Sequence, residues 1–259
     1  GTAKSDTVNH AFIQDGIAEA ANGKVAVDAN LKSKTDPQID TTKISISIAS
    51  LGIAQVESDS NDEVLSYVDG SSRVTSKQAD IQAVSDATVH VEGGVAELSV
   101  SALELSDVEL TATAASGKNG KVTKAYIGKD TEVTVTGVTD DMQGLNVTAD
   151  SILDVTAHIP ETVSVSLAKF GVYKIKTEIG RTDTAAYIDG KVYSADDITL
   201  TAVDQISETA DIKTFNASLV EGGMNSIHST IGKDGAVQHT MVGFGSGASV
   251  EAYGNINAL

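Results

Sequence analysis

Short stretches of the chain alternate apolar and polar residues with a period of two, which is typical of half-buried β-strands. Residues 44–48 and 163–167 are two such stretches. Asp-Gly, Asn-Gly and Gly-Gly pairs lie between the stretches and favour turns. No segment shows a capped amphipathic helix, and only residues 14–22 leave room for a short one. The pattern therefore predicts an all-β protein.

Three phrases recur along the chain in the same order, which is the mark of a repeat protein. The first phrase places an aromatic residue before an apolar residue and a turn, at Phe12, Tyr67, Tyr126 and Tyr187, with steps of 55, 59 and 61 residues. A weaker echo of it occurs at residues 230–235. The second phrase occupies residues 25–29, 80–83, 146–150 and 198–202. The third occupies residues 44–48, 98–102, 163–167 and 215–219. We interpret residues 1–259 as a single-domain fragment of a longer repeat protein, with approximate repeats 11–65, 66–124, 125–185 and 186–259.

A repeat of this length favours a right-handed parallel β-helix, also called a β-solenoid. Because one coil of such a fold takes roughly 20 to 25 residues, each repeat predicts about three coils. The chain would then hold about 11 or 12 coils in a rod of roughly 50 to 60 Å. The alternative is a string of tandem small β-sandwiches made of antiparallel strands, each spanning about two repeats.

Charge and composition narrow the classes of partner. The chain has 18 Lys and Arg residues against 36 Asp and Glu, giving a net charge of -18. Such a chain repels phosphate backbones and anionic lipid, so we expect no nucleic-acid partner. The absence of cysteine excludes disulfides, Cys-zinc sites and thiol catalysis. No apolar run approaches the roughly 20 residues of a membrane span, so this segment is not expected to insert into a membrane.

The Val-Ser-Val-Ser strands and the Ala-Tyr-Ile-Asp-Gly turn resemble the repeat regions of large bacterial filamentous adhesins. The resemblance is to leukotoxin-type and filamentous-haemagglutinin-like exoproteins, and it is carried by residues 146–157, 163–172 and 185–195. It extends from about residue 11 to about residue 235 and is looser over residues 87–115. It implies an exported, extracellular or cell-surface protein with a long β-solenoid stalk, and it implies no catalytic residue.

We therefore expect a non-enzymatic structural or adhesive segment of an acidic, secreted, filamentous bacterial protein. Its expected partners are a glycan or protein on a host or neighbouring cell, and the rest of the parent repeat array. The repeated aromatic residues Phe12, Tyr67, Tyr126 and Tyr187 predict a structural aromatic ladder along one face. Stacked rings also suit sugar binding, but an internal stack joining successive repeats is the favoured interpretation.

Acidic residues supply two alternatives to a purely structural role. The pairs Asp140-Asp141 and Asp196-Asp197, together with the acidic run at residues 59–63, would suit a β-helix carbohydrate-active enzyme such as a polysaccharide lyase, hydrolase or phage depolymerase. Because the repeat itself accounts for the spacing of the two pairs, we interpret them as turn residues and assign no catalytic residue. Loop carboxylates also suit Ca²⁺, which gives the second alternative, a calcium-stiffened spacer without an identifiable ligand set. No other cofactor is expected.

Histidines and lysines complete the candidate chemistry. The histidines have no metal-binding spacing and are predicted to be surface or turn residues: His10, His90, His158, His228 and His239. Four lysines form the clearest local basic cluster: Lys118, Lys121, Lys124 and Lys129. We interpret the cluster as a loop that balances nearby acids, with contact to an anionic glycan as the alternative.

Overall fold

The computed structural model describes residues 1–137, 144–232 and 236–259, and it contains strands but no helix in those residues. The strands are β1 (Thr2–Gln14), β2 (Ile17–Thr35), β3 (Gln38–Asp69), β4 (Arg73–Ala114), β5 (Lys121–Ile127), β6 (Glu132–Val135), β7 (Leu145–Ile179), β8 (Thr182–Ile188), β9 (Lys191–Ser194), β10 (Ile198–Ile231), β11 (Gln238–Phe244), β12 (Ser249–Ala252) and β13 (Ile256–Ala258). The prediction of an all-β protein is confirmed. The short helix considered at residues 14–22 is not formed, because β1 ends and β2 begins there.

Each pass of the chain lies beside the previous pass, and every described strand pair is parallel. Thr2 pairs with Glu57, 55 positions later, and Lys121 pairs with Thr182, 61 positions later. Neighbouring strands of the sheet therefore come from successive repeats, as in the strand order β11-β8-β5-β3. With β1 beyond β3, they form five stacked layers. One repeat therefore forms one layer.

The expected number of coils is corrected by this register. The prediction of about three coils per repeat is wrong, and so is the rod of roughly 50 to 60 Å derived from it. Five layers at about 4.8 Å per layer span only about 19 Å along the stack. The reason is strand length, since β4 alone continues for 42 residues and one pass consumes a whole repeat. Tandem sandwiches of antiparallel strands are not observed either, because the described pairing is parallel.

The repeated phrases meet in register across the layers. One row of the second phrase contains Val27, Ile81, Val147 and Leu200. The backbone of the third phrase aligns in the same way, with Ile46 beside Val100, Val100 beside Val165 and Val165 beside Ala217. Equivalent backbone positions thus stack on one another, and in the second phrase like side chains meet along the direction of stacking.

Within one layer the chain doubles back, and two walls face each other across a narrow interior. The Ser66 hydroxyl donates a hydrogen bond to the carbonyl of Val27. Further along, Ser58 Oγ donates to Thr35 Oγ1 over 2.7 Å. Residue numbers rise on one wall as they fall on the other, so the two walls run in opposite directions.

Two hydrophobic clusters fill the space between the walls. One is built on small and β-branched side chains such as Val64, Ile81 and Val147. The other contains Val89, Leu110 and Ile175. Such side chains suit the thin interior, because alternate residues of each wall point inward and leave room for little else.

Buried charged groups interrupt this apolar interior. Lys169 and Glu104 are paired over 3.0 Å with both side chains almost wholly buried, and Glu104 lies beside Lys169 in the strand register. Lys121 is buried elsewhere in the interior, where its Nζ donates to Ser151 Oγ over 2.6 Å. Each buried lysine has an acid or a hydroxyl within hydrogen-bond distance, which reduces the cost of burying its charge.

Candidate functional site: a charged cleft beside an aromatic stack

The structure places the four repeated aromatic residues in one continuous stack, which we call the aromatic stack (Phe12, Tyr67, Tyr126 and Tyr187). The ring centroids of Phe12 and Tyr67 are 5.2 Å apart, those of Tyr67 and Tyr126 are 5.0 Å apart, and those of Tyr126 and Tyr187 are 4.9 Å apart. Neighbouring rings are tilted by 9°, 6° and 1°. The spacing follows from the register, because equivalent residues of parallel strands lie about 4.8 Å apart.

The aromatic stack lies on the outer face of the sheet rather than inside it. Ala125 and Ile127, which flank Tyr126, are buried in the interior cluster. Because successive side chains of a strand point to opposite faces, the Tyr126 ring points outward. Phe12, at one end of the stack, is 54% exposed. The expectation of an internal stack is therefore wrong about the face on which the rings lie, although the rings do join four successive layers.

Within the aromatic stack, the pKa values of the Tyr126 and Tyr187 hydroxyls are raised. Partial burial raises the pKa of Tyr126, and the neighbouring Tyr187 and Asp69 raise it further. Partial burial likewise raises the pKa of Tyr187, with smaller contributions from nearby aspartates. Both phenols therefore remain neutral hydrogen-bonding groups at physiological pH.

A cleft of about 710 Å³ opens on the same face as the aromatic stack. We call it the charged cleft. Its lining includes Lys118 and Lys124 of the third layer, Arg181 and Asp183 of the fourth, and His239 of the fifth. Lys124 lies two residues before Tyr126 on the outward face of β5, so the cleft and the stack are neighbours along the strands.

Asp183 is the centre of the ion pairs in the charged cleft. Its carboxylate oxygens lie 2.6 Å from Lys124 Nζ, 3.0 Å from His239 Nδ1 and 3.6 Å from Arg181 Nη2. Burial raises the pKa of Asp183, but the hydrogen bonds from Lys124 and His239 outweigh it and leave the pKa below its usual value. The carboxylate is thus held ionised, and it fixes the positions of the cations around it.

The basic cluster proposed from the sequence is divided by the fold. Lys118 and Lys124 line the charged cleft. Lys121 is inside the protein, where burial lowers its pKa to about 8 against the opposing effect of Asp204 and Asp62. Lys129 is exposed in the turn that follows β5. Strand alternation explains the division, because residues 121 and 124 point to opposite faces.

The histidines lie on strands, and none is buried. His10 Nε2 lies 2.7 Å from Glu63, His158 Nδ1 lies 3.4 Å from Asp211, and His239 pairs with Asp183. His90 lies near Asp36 and Glu92, and His228 near Thr230. The described residues contain no group of three or more His, Cys, Asp or Glu side chains that could hold a metal ion.

Asp197 and the acidic run at residues 59–63 are engaged in local structure. Asp197 Oδ1 accepts a hydrogen bond from the backbone N–H of Asn255 over 2.6 Å, so it binds the turn of the next layer. In the acidic run, Asp59 accepts from Ser116, Asp62 is buried and accepts from Ser60, and Glu63 pairs with His10. The pair Asp140-Asp141 lies outside the described residues.

Sequence reasoning missed Arg181, Asp183 and His239 as members of a site, and it misplaced the fifth copy of the first phrase. Thr230 and Ile231 of the proposed echo belong to β10, and residues 233–235 lie outside the described residues. The fifth copy is β11, in which Gly243 pairs with Tyr187. Continuing the repeat spacing beyond Tyr187 would have led to this position, but the missing aromatic residue concealed it.

No protein-family model, curated protein or solved structure matches this chain. The described residues contain no helix with the length and hydrophobicity that crossing a membrane requires. The arrangement itself supplies two chemical features on one face, a stack of half-buried aromatic rings and a cleft whose cations are positioned by a carboxylate.

Proposed function

We propose that this chain is a non-enzymatic structural and adhesive segment of a secreted bacterial cell-surface filamentous protein. In this proposal the layers are coils of a right-handed β-solenoid that forms an extended stalk or an adhesive face. The observation that carries the proposal is the continuous parallel register, in which the same strand positions recur from β1 through β3, β5 and β8 to β11.

The mechanism we propose is mechanical. Each inner layer hydrogen-bonds to the layer before it and the layer after it, so load applied along the stack is shared over long strands. Acidic side chains on the outer surface oppose lateral association, consistent with the net charge of -18. The stack thus provides length, and its outer face provides a surface for contact.

The partners and location are part of the same proposal. We propose a location outside the cell, contact with a glycan or protein on a host or neighbouring cell, and continuation into the parent repeat array. Two outward features support a contact surface, namely the half-exposed rings of the aromatic stack and the adjacent charged cleft. The engagement of Asp197 with the turn of the next layer supports a structural use of that acidic pair.

Single-molecule force spectroscopy tests the mechanical part of the proposal. Pulling from both ends should unravel the chain one layer at a time. Each step should release about 55 to 61 residues, or about 200 Å of chain. One cooperative rupture of the whole chain would contradict a stack of separable coils.

An adhesion assay tests the adhesive role, and a polysaccharide-cleavage screen tests the proposal that the chain is not an enzyme. Beads coated with the chain should adhere to cells with acidic surface glycans more strongly than albumin-coated beads do. No polysaccharide in a cleavage screen should be degraded. Degradation that is lost in Asp183→Asn would replace this proposal with the carbohydrate-active enzyme, and absent adhesion would remove the adhesive role.

A further inference from the structure

The fifth position of the aromatic stack is occupied by a glycine. Gly243 pairs with Tyr187 in the parallel register, so it stands where the next ring of the stack would be. A Cβ atom built at Gly243 has no heavy atom within 4 Å, and the residue is not among the glycines with positive φ. Neither crowding nor backbone conformation therefore requires glycine there. Its effect is to leave one face of the Tyr187 ring without the cover that Tyr187 gives to Tyr126.

The space on Tyr187 has the dimensions of one ring. Rings within the stack are 4.9 to 5.2 Å apart, so the missing ring leaves a space of about one strand spacing over Tyr187, which we call the slot. β11 is the last strand at its end of the described order, so the far side of the slot is open. A pyranose ring has a similar thickness and presents C–H groups to an aromatic face. A flat and fixed ring also binds a sugar at low entropic cost, because its neighbours in the stack already hold Tyr187 in position.

The slot opens beside the charged cleft. Met241 lines the cleft and lies two residues before Gly243 on the same face of β11, about 7 Å away along the strand. Ala185 has the same relation to Tyr187 in the layer below and also lines the cleft. A ring that covers Tyr187 therefore lies about 7 Å from the end of the cleft that Met241 and Ala185 line.

The cleft has the charge to receive an acidic group. Its lining contains three permanent cations, Lys118, Lys124 and Arg181, against two acids, Glu178 and Asp183. A local excess of positive charge is unusual in a chain with a net charge of -18. Lys118 has no ion-pair partner among the described residues, so its ammonium group is available to a ligand.

We propose that Tyr187, Gly243 and the charged cleft form a binding subsite for an acidic oligosaccharide. One pyranose ring lies on the uncovered face of Tyr187 at Gly243, and the oligosaccharide continues from there along the cleft. Arg181 is six residues before Tyr187, or about 20 Å along the extended chain, so the carboxylate of a uronic acid unit several rings away lies near Lys118 and Arg181. The subsite deepens the adhesive part of the proposed function and rests on it.

Substitution of the glycine tests the subsite directly. Gly243→Tyr adds the missing ring and should weaken binding of the oligosaccharide at least tenfold while the protein stays folded. Gly243→Ala leaves room for the sugar and should bind like the native chain. Gly23→Tyr is the matched control, because a Cβ at Gly23 also has no heavy atom within 4 Å and Gly23 belongs to β2 in the first layer, whereas Gly243 belongs to β11 in the fifth.

Calorimetry with defined probes gives the readout. The probes are oligomers of galacturonate, oligomers of mannuronate and hyaluronan fragments, and methyl-esterified oligogalacturonate is the uncharged match. Native protein should bind at least one acidic series, and Lys118→Gln should reduce its preference over the methyl ester. Binding that is unaffected by Gly243→Tyr, or absent for all three acidic series, would overturn the subsite. The layer-by-layer rupture in force spectroscopy does not depend on this outcome, so the structural role is judged separately.

Discussion

At the scale of single residues, Lys121 shows how neighbours set the properties of a buried charge. Its Nζ donates to Ser151 Oγ over 2.6 Å and to the carbonyl of Ser85 over 3.4 Å. Burial lowers its pKa to about 8, while Asp204 and Asp62 oppose the shift. Desolvation thus exceeds the attraction of the acids, and the charged lysine costs the folded state free energy at neutral pH.

Because of this cost, the stability of the folded chain should increase as pH rises. Because the pKa of Lys121 falls from 10.5 to about 8 on folding, the folded chain binds fewer protons than the unfolded chain between those values. Its contribution to the free energy of unfolding therefore rises as pH increases through that range, by up to about 1.4 kcal/mol per pH unit. Urea denaturation should show this rise between about pH 8 and about pH 9.5.

Two variants isolate the contribution of Lys121. The rise with pH should disappear in Lys121→Met and persist in Lys129→Met, because Lys129 is exposed. The comparison uses the slope against pH, so it does not depend on whether Lys121→Met changes stability overall. An equal slope in Lys121→Met would show that other groups cause the effect.

The aromatic stack gives a second prediction at this scale. Tyr126 has a ring on each side, whereas Phe12 has a stacked neighbour on one side and is 54% exposed. Each stacked pair contributes about 0.5 to 1.5 kcal/mol beyond the burial of its surface. Tyr126→Ala should therefore destabilise the protein by roughly 1 to 3 kcal/mol more than the loss of surface burial alone.

Thermal unfolding followed by circular dichroism measures the effect. The fall in Tm for Tyr126→Ala should be at least twice the fall for Phe12→Ala, and Tyr126→Phe should restore most of it. Equal falls for the two alanine variants would show that the stack adds no stability of its own.

At the scale of the strands and turns, the connection between β4 and β5 is held by the following layer. Gly120 adopts φ of 70°, and its neighbour Lys121 donates a backbone hydrogen bond to the carbonyl of Arg181 over 2.9 Å. A Cβ at Gly120 would overlap that same carbonyl oxygen. The turn therefore needs glycine both for its left-handed conformation and for the close approach of the next layer.

Alanine substitution tests this requirement. Gly120→Ala should lower the free energy of unfolding by at least about 1 to 2 kcal/mol, from the left-handed conformation alone. Gly243→Ala is the control and should be neutral within about 0.5 kcal/mol, because that site is open and on the surface. Urea denaturation of the two variants decides the point, and a neutral Gly120→Ala would contradict the close approach.

At the scale of the whole molecule, the layers differ in the number of their neighbours. Residues 145–158 of β7 pair with β4 on one edge and β10 on the other. Among the described residues, the part of β10 after Ala202 pairs along one edge only, with β7. About half of the N–H groups of such an edge segment lack a strand partner, since parallel strands bond alternately to the two sides.

Hydrogen exchange should follow this difference. Backbone amides of residues 145–158 should exchange most slowly, and those of residues 203–212 should exchange markedly faster. Mass spectrometry of peptides from both segments measures the rates. Equal protection would mean that the exposed edge of β10 is covered by another chain in solution, and dilution would then restore the difference.

The register of the sequence repeats predicted which residues meet. The recurrence of Phe12, Tyr67, Tyr126 and Tyr187 at a nearly constant spacing is sufficient to place them in one row, because parallel layers align equivalent positions. The period-two alternation was sufficient for the strands themselves, since no other regular structure places every second residue on one face.

Only the tertiary structure decided how many residues make one layer and which side of each strand lies inside. Alternation looks the same whether a strand turns after seven residues or continues for 42, so the sequence did not exclude a layer as long as β4. Alternation also does not show which face of a strand is buried where both faces carry apolar side chains, as they do around Tyr126. The sequence therefore did not determine that the aromatic stack lies on the outer face. The charged cleft depends on contacts between residues about 60 positions apart, such as Lys124 and Asp183. Those contacts exist only because the layers stack, and stacking brings side chains together according to register rather than distance along the chain.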